Sequence, residues 1–216
     1  NDTEDAAYFF CANRGKKSVT VDITHSEGQE IIRQLALQSD VLIENYKVGG
    51  LAKYGLDYSA LKKINPKLIY CSITGFGQTG PYANRPGYDF LIQGMGGLMS
   101  ITGEPDSPDN KTAGPVKVGV AVTDLFTGLY AANAIQGALL ERHQSGLGQY
   151  IDLALLDVQA AVLANQASNY LIGKVIPERL GNAHPNIVPY QAFATADSHI
   201  IIAVGNDQQF ARFCKV

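Results

Sequence analysis

Hydrophobic and polar positions alternate or recur in ways that divide the chain into elements. In "KKSVTVDI" the apolar Val19, Val21 and Ile23 fall on every second position, which predicts a strand. Ile31, Ile32, Leu35 and Ala36 then recur at helical spacing. They predict a helix to about Ser39, capped at its start by Thr24 or Ser26. "DVLIEN" is a short apolar run, expected to be a buried strand ending at Asn45. "YSALKKINP" predicts a brief helix closed before Pro66, and "KLIYCSIT" another buried strand leading into the glycine-rich "GFGQTGP". "GYDFLIQGMGGLMSITG" reads as a helix interrupted by glycines, followed by a Pro-, Asp- and Asn-rich loop over 104–116. A long helix is expected over about 119–144, ending at "SGLGQ". "YIDLAL" is then a strand that runs almost directly into a further helix.

Strands alternating with helices imply a parallel, doubly wound sheet, an α/β fold. Ligands in such sheets bind beyond the carboxyl ends of the strands. Those ends are Asp22–Thr24, Glu44–Tyr46 and Thr74–Gly77. After Gly173 the texture changes to the Pro- and Asn-rich "GNAHPNIVPYQAF" and the strand-like "HIIIAVGN". A large domain over 1–175 is therefore expected, with the start of a smaller α/β domain over 176–216. The chain opens without methionine on "NDTEDAAYFF" and stops within a helical pattern at "FARFCKV", so a piece of a longer polypeptide is expected.

Composition narrows the function classes. The 216 residues are 46% hydrophobic and 17% charged, enough apolar material for a sizeable core. A formal net charge of -3, with short basic groups at Arg14–Lys17 and Lys62–Lys63, gives no footprint for nucleic acid. No apolar run reaches bilayer length and no signal peptide is evident, so no membrane partner is expected. Cys11, Cys71 and Cys214 form no CxxC or zinc spacing. Cys71 lies in an apolar run and reads as a buried thiol. A reducing compartment, cytoplasmic or mitochondrial matrix, fits this usage.

Candidate chemistry centres first on Asp157 in "YIDLALLDVQAAVLANQ". Its helical neighbours Leu153, Ala154, Ala160 and Ala161 cannot pair with a carboxylate. Two readings stay open on the residues alone: an acid that caps its helix, or a desolvated carboxylate nucleophile. "IENYKVGGLAKYGL" places Asn45 and Tyr46 at a strand end with Lys47 and Lys53 close behind. An amide, an aromatic face and cations suit a nucleotide with phosphates, and equally a solvated loop. "GFGQTGP" matches neither GxGxxG nor a P-loop, and serves as a ligand loop or a plain turn. The histidines His25, His143, His184 and His199 share no helical spacing, and no serine lies in GxSxG, which argues against a metal centre or a serine hydrolase.

Six segments in order, "NRGKKSVTVDI", "DVLIENYKVGGLAKYGL", "NPKLIYCSITGFGQTGP", "PGYDFLIQGMGGLMSITG", "VAVTDLFTGLYAANAIQGAL" and "GLGQYIDLALLD", resemble the class III CoA-transferases, the formyl-CoA transferase family. "GNAHPNIVPYQAF" and "GNDQQFARFCKV" look most like the branch acting on dicarboxylates. The resemblance implies a large Rossmann-like domain, a smaller domain and an interlocked homodimer. It implies coenzyme A or an acyl-CoA as substrate, with no permanently bound cofactor and no metal, and a carboxylic acid as the second substrate. Carried over by motif, the nucleophilic aspartate falls on Asp157. CoA contacts fall on Val21, Asp22, Ile23 and Thr24, on Asn45 and Tyr46, and on Lys53 and Tyr54, with Tyr88 and Asp89 near the thioester. Thr24 stands where the family often has Lys, and Lys53 where it often has Arg. Asn182 and His184 are candidates for the far carboxylate of a dicarboxylate.

The resemblance extends to the α-methylacyl-CoA racemases, which carry His in a "GHD" turn and use an Asp in the segment matching "VTDLFTG". Asp124 is present here, but Tyr88 replaces the His, and a phenol of pKa about 10 is a poor base at neutral pH. Transfer through an aspartyl anhydride and an aspartyl-CoA thioester is therefore the implied chemistry. Racemisation, or CoA binding without catalysis, is the alternative.

Overall fold

The computed structural model describes residues 6–107, 109 and 114–216. Part of the loop expected over 104–116, residues 108 and 110–113, lies outside the described residues. Helices α1 (Ala7–Asn13) and α2 (Ser26–Gln38) precede β1 (Val41–Glu44), α3 (Tyr58–Ile64) and β2 (Ile69–Thr74). Then follow α4 (Asp89–Met95), α5 (Val122–Ser145), β3 (Tyr150–Ala154), α6 (Leu155–Val162) and α7 (Ala164–Leu171). An antiparallel pair, β4 (Tyr190–Ala194) and β5 (His199–Ala203), and α8 (Asp207–Phe213) complete the order.

β1, β2 and β3 lie side by side in that order, all parallel. Val41 pairs with Ile69 and Cys71 with Ile151, so the period of two sorts the side chains cleanly. Ile69 and Cys71, with Val41, Ile73, Ile151 and Leu153, meet Ala131, Ile135 and Ala138 of α5. On the opposite face Leu68 and Tyr70, with Leu42, meet Ala36 of α2 and Leu61 of α3. Helices thus cover both faces of a parallel sheet, which makes the fold α/β and doubly wound. Cys71 is fully buried, and burial pushes its thiol up to about 11, with the nearby charge of Glu44 adding. Gly146, at φ 73, stops α5 with a left-handed cap, as "SGLGQ" predicts.

Two local expectations are overturned. "KKSVTVDI" forms no strand: among the described residues it joins no ladder, and Val19 is 68% exposed. Alternation identifies a face, but a strand also needs a neighbour for its amides. Nor does Thr24 or Ser26 cap α2. The Thr24 backbone N–H (2.8 Å) and hydroxyl (2.7 Å) both donate to the carboxylate of Asp22, forming a local turn. Ser26 is the first residue of the helix, and His25 sits at the cap without a side-chain bond.

Candidate active site

The carboxyl ends of β1 and β2 open onto a cleft of about 920 Å³. The segment after β1 brings Asn45, Tyr46 and Lys47 to it, and the end of β2 brings Ile73, Thr74 and Gly75. The loop before α4 supplies Arg85 and Tyr88, and the first turns of α5 supply Asp124 and Thr127. Gly75 and Gly87 hold these two loops together by backbone contact. A Cβ on Gly75 would stand 2.5 Å from the Gly87 Cα, closer than any side chain tolerates.

Three carboxylates face the cleft, and two are already engaged. Glu44 accepts from the Tyr46 N–H (2.7 Å) and from the Ser72 hydroxyl. Asp89 accepts from the Thr123 N–H (2.8 Å), the Asp124 N–H (3.3 Å) and the Gln93 amide (2.7 Å). It thereby satisfies amides in the first turn of α5, where the cap residue Ala121 has no side chain that could. Gln93 in turn accepts from the Val118 N–H (2.9 Å), and the Thr123 hydroxyl donates to Gln159 of α6 (2.6 Å). Thr123, Gln93 and Gln159 are all at most 1% exposed. This buried network fixes the start of α5 against α4 and α6.

The third carboxylate, Asp124, makes no side-chain hydrogen bond or ion pair among the described residues. Its side chain remains open to solvent within the cleft. Desolvation by the cleft wall nevertheless raises its pKa above the ordinary aspartate value, and the charge of Asp89 raises it further. An unengaged carboxylate with a raised pKa, on a substrate-sized cleft, has the attributes of a nucleophile or base.

The residues expected from the sequence divide into two sets. Asn45, Tyr46, Tyr88 and Asp89 come together on the cleft, although Asp89 is committed to the α5 cap. Val21, Asp22, Ile23 and Thr24 lie outside its lining. The Asp22 carboxylate is turned to Thr24, whose hydroxyl and then backbone N–H hold its pKa low. Lys53 lies outside too, 4.6 Å over the ring of Tyr54. Asn182 and His184 are elsewhere, and His184 accepts from the Asn186 N–H (3.0 Å). Asp157 also lies outside the lining and matches neither setting expected on the residues alone: its side chain is exposed and not desolvated, and although it stands in the first turn of α6 it makes no capping hydrogen bond among the described residues. The buried arc of α6 is Leu155, Val158 and Gln159, which turns Asp157, Ala160 and Ala161 outward.

The sequence profile of CoA-transferase family III matches residues 1–216. The chain belongs to CoA-transferase family III. It is 60% identical over 211 residues to the succinate–glutarate CoA-transferase of Agrobacterium fabrum, covering 98% of this chain and 51% of that protein. It is 49% identical over 212 residues to the succinyl-CoA:glutarate CoA-transferase of Mus musculus, covering 98% of this chain and 47% of that protein. A crystal structure of a CAIB/BAIF family protein from Brucella suis superposes with a TM-score of 0.85 at 58% identity, over 97% of this chain and 54% of that one. The chain spans about half the length of these relatives.

For this family III chain, periodicity missed Arg85 and passed over Asp124. Arg85 sits in "NRPGYD", three residues before Tyr88, where a cation in a loop carries no periodic signal. Asp124 had a readable signal, an acid in the first turn of a 24-residue helix. A second cavity of about 290 Å³ adjoins the cleft at Glu44 and Lys47 and is lined by Tyr58, Tyr70 and Tyr150. Tyr150 stacks on Tyr58 (5.1 Å) and donates to the Ser72 hydroxyl (3.1 Å).

Proposed function

We propose that this chain carries the CoA-binding and reacting half of an acyl-CoA:carboxylate CoA-transferase, with dicarboxylic acids as donor and acceptor. The observation that carries the reading is Asp124, the cleft carboxylate whose side chain makes no hydrogen bond or ion pair among the described residues. The names of the relatives support succinyl and glutaryl groups as the acids exchanged. Asp124, not Asp157, is the proposed nucleophile.

The chemistry follows from the problem of moving CoA without losing the thioester to water. The Asp124 carboxylate attacks the acyl carbonyl carbon of the donor. A C–O bond forms, the C–S bond breaks, and the CoA thiolate leaves a mixed anhydride. The thiolate then attacks the Asp124 carbonyl carbon, giving an aspartyl-CoA thioester and the free donor acid. The acceptor carboxylate attacks that thioester and the thiolate returns to the acceptor acyl carbon, which restores Asp124. Each step exchanges one activated bond for another, so the cycle is energetically level. Asn45, Tyr46 and Lys47 line the cleft, which supports them as contacts of the nucleotide end, and holding that end would keep the thiolate at high effective molarity. Gly75 lines the cleft and is the proposed backbone donor for the oxyanions, whereas the Gly77 N–H is committed to the Thr74 hydroxyl (3.0 Å). The turn where a racemase-like chain carries His has Tyr88 here, and a phenol is a poorer general base than an imidazole, which favours transfer over racemisation.

The full protein is proposed to act as a homodimer. Leu171, Ile172, Val175 and Ile176 form a run that is 63–84% exposed, an apolar surface that suits burial by another subunit. The reading is tested by incubating the protein with succinyl-CoA and labelled glutarate. Labelled glutaryl-CoA is expected, and its loss in D124A with CoA binding retained. Exchange of the α-hydrogen in deuterated water without acyl transfer would instead indicate racemisation.

A further inference from the structure

The cleft carries two cations, Lys47 and Arg85, at different places on its wall. Lys47 follows Asn45 and Tyr46 after β1, beside the proposed nucleotide contacts. Arg85 belongs to the loop that leads into Tyr88. Among the described residues its guanidinium makes no hydrogen bond and no ion pair. It is nevertheless held in place. Its guanidinium carbon lies 4.2 Å from the centre of the Tyr82 ring, and that ring meets Phe76 edge-on at 5.5 Å. The Arg85 N–H donates to the Tyr82 carbonyl (2.8 Å), and two residues on, Gly87 is locked against Gly75. An unpaired guanidinium, braced from below and anchored on both sides along the chain, is pre-organised for an anion.

Which anion it takes follows from shape and charge. A planar fork matches a carboxylate bidentately, whereas the ammonium of Lys47 is a point charge. The reacting carboxylate, Asp124, and the capping carboxylate, Asp89, face the same cleft. A second carboxylate on the acyl group would be repelled there unless a cation met it. We propose that Arg85 is the specificity-determining residue that binds the free carboxylate of a dicarboxylic substrate. This rests on the reading of the cleft as an acyl-transfer site, and it replaces Asn182 and His184 in that role.

The test compares wild type, R85Q and R85K with succinyl-CoA and with butyryl-CoA, which has the same chain length and no free carboxylate. Loss of one charge-assisted contact is expected to lower kcat/KM for succinyl-CoA by about 10–100-fold in R85Q. The kcat/KM for butyryl-CoA, which reports the donor half of the cycle alone, and affinity for free CoA should change little. R85K, which keeps the charge without the fork, should fall between. Equal losses with both donors, or weaker binding of free CoA, would overturn the inference in favour of a phosphate contact. Equal activity of R85Q and wild type on succinyl-CoA would overturn it outright. Calorimetric titration of free glutarate separates this from the reading beneath it. Glutarate binding that R85Q abolishes supports the inference even if no transfer occurs, and binding that R85Q leaves intact contradicts it even if transfer does.

Discussion

Asp124 sits where two electrostatic demands conflict. Partial desolvation and the charge of Asp89 disfavour its ionised form, yet transfer requires that form as the nucleophile. The folded state therefore pays for an ionised Asp124 at neutral pH. A carboxyl with a raised folded pKa carries no such penalty below its ordinary value of 3.8, and the penalty grows as pH rises through the raised value. D124N should accordingly melt higher than wild type at pH 7, with the difference closing near pH 3.5, while losing transfer. Thermal melts at the two pH values check this; a D124N protein that melts lower at pH 7 would contradict it. At this scale the sequence was least informative. The small apolar neighbours of Asp157 suggested burial, but helical spacing gives neighbours along one element and not which arc the sheet covers. Gln159 and Val158 took the buried arc and left Asp157 outside. Asp22 likewise looked like a ligand contact and is committed to the turn it makes with Thr24.

The elements themselves were largely legible. The apolar runs at Val41–Glu44 and Ile69–Thr74 form the parallel pair they predict, but the burial expected of "DVLIEN" is not found, since no residue of β1 is buried and Ile43 is 57% exposed; the junction of β3 with α6 lies where "YIDLAL" ends. The failure of "KKSVTVDI" to form a strand shows what periodicity omits, since pairing depends on a neighbouring strand. Long-range polar connections were equally invisible. Asp89 caps α5 across 34 residues of chain, and no local pattern announces that bond. D89A would leave first-turn amides of α5 without an acceptor. The expected cost is ~1–2 kcal/mol of stability, in the range of lost helix caps. Denaturant unfolding should show a lower midpoint at unchanged slope. Because Asp124 is in the same turn, kcat should fall in D89A as well. A variant with unaltered stability would contradict the capping role.

For the molecule as a whole, a doubly wound sheet gathers the candidate groups from four separate segments onto one cleft. The exposed apolar run that begins at the last residue of α7 suits an assembled protein better than a free surface. Light scattering of the full protein should give the mass of two subunits, and a single-subunit mass would contradict the dimer. The central claim is that Asp124 carries the activated acyl and CoA groups in turn. Borohydride or hydroxylamine added to the protein during turnover with succinyl-CoA traps an aspartyl thioester or anhydride, and peptide mass spectrometry locates it. The modification is expected on Asp124, dependent on succinyl-CoA. Modification of Asp157 instead, or of no carboxylate while transfer proceeds, would contradict the account.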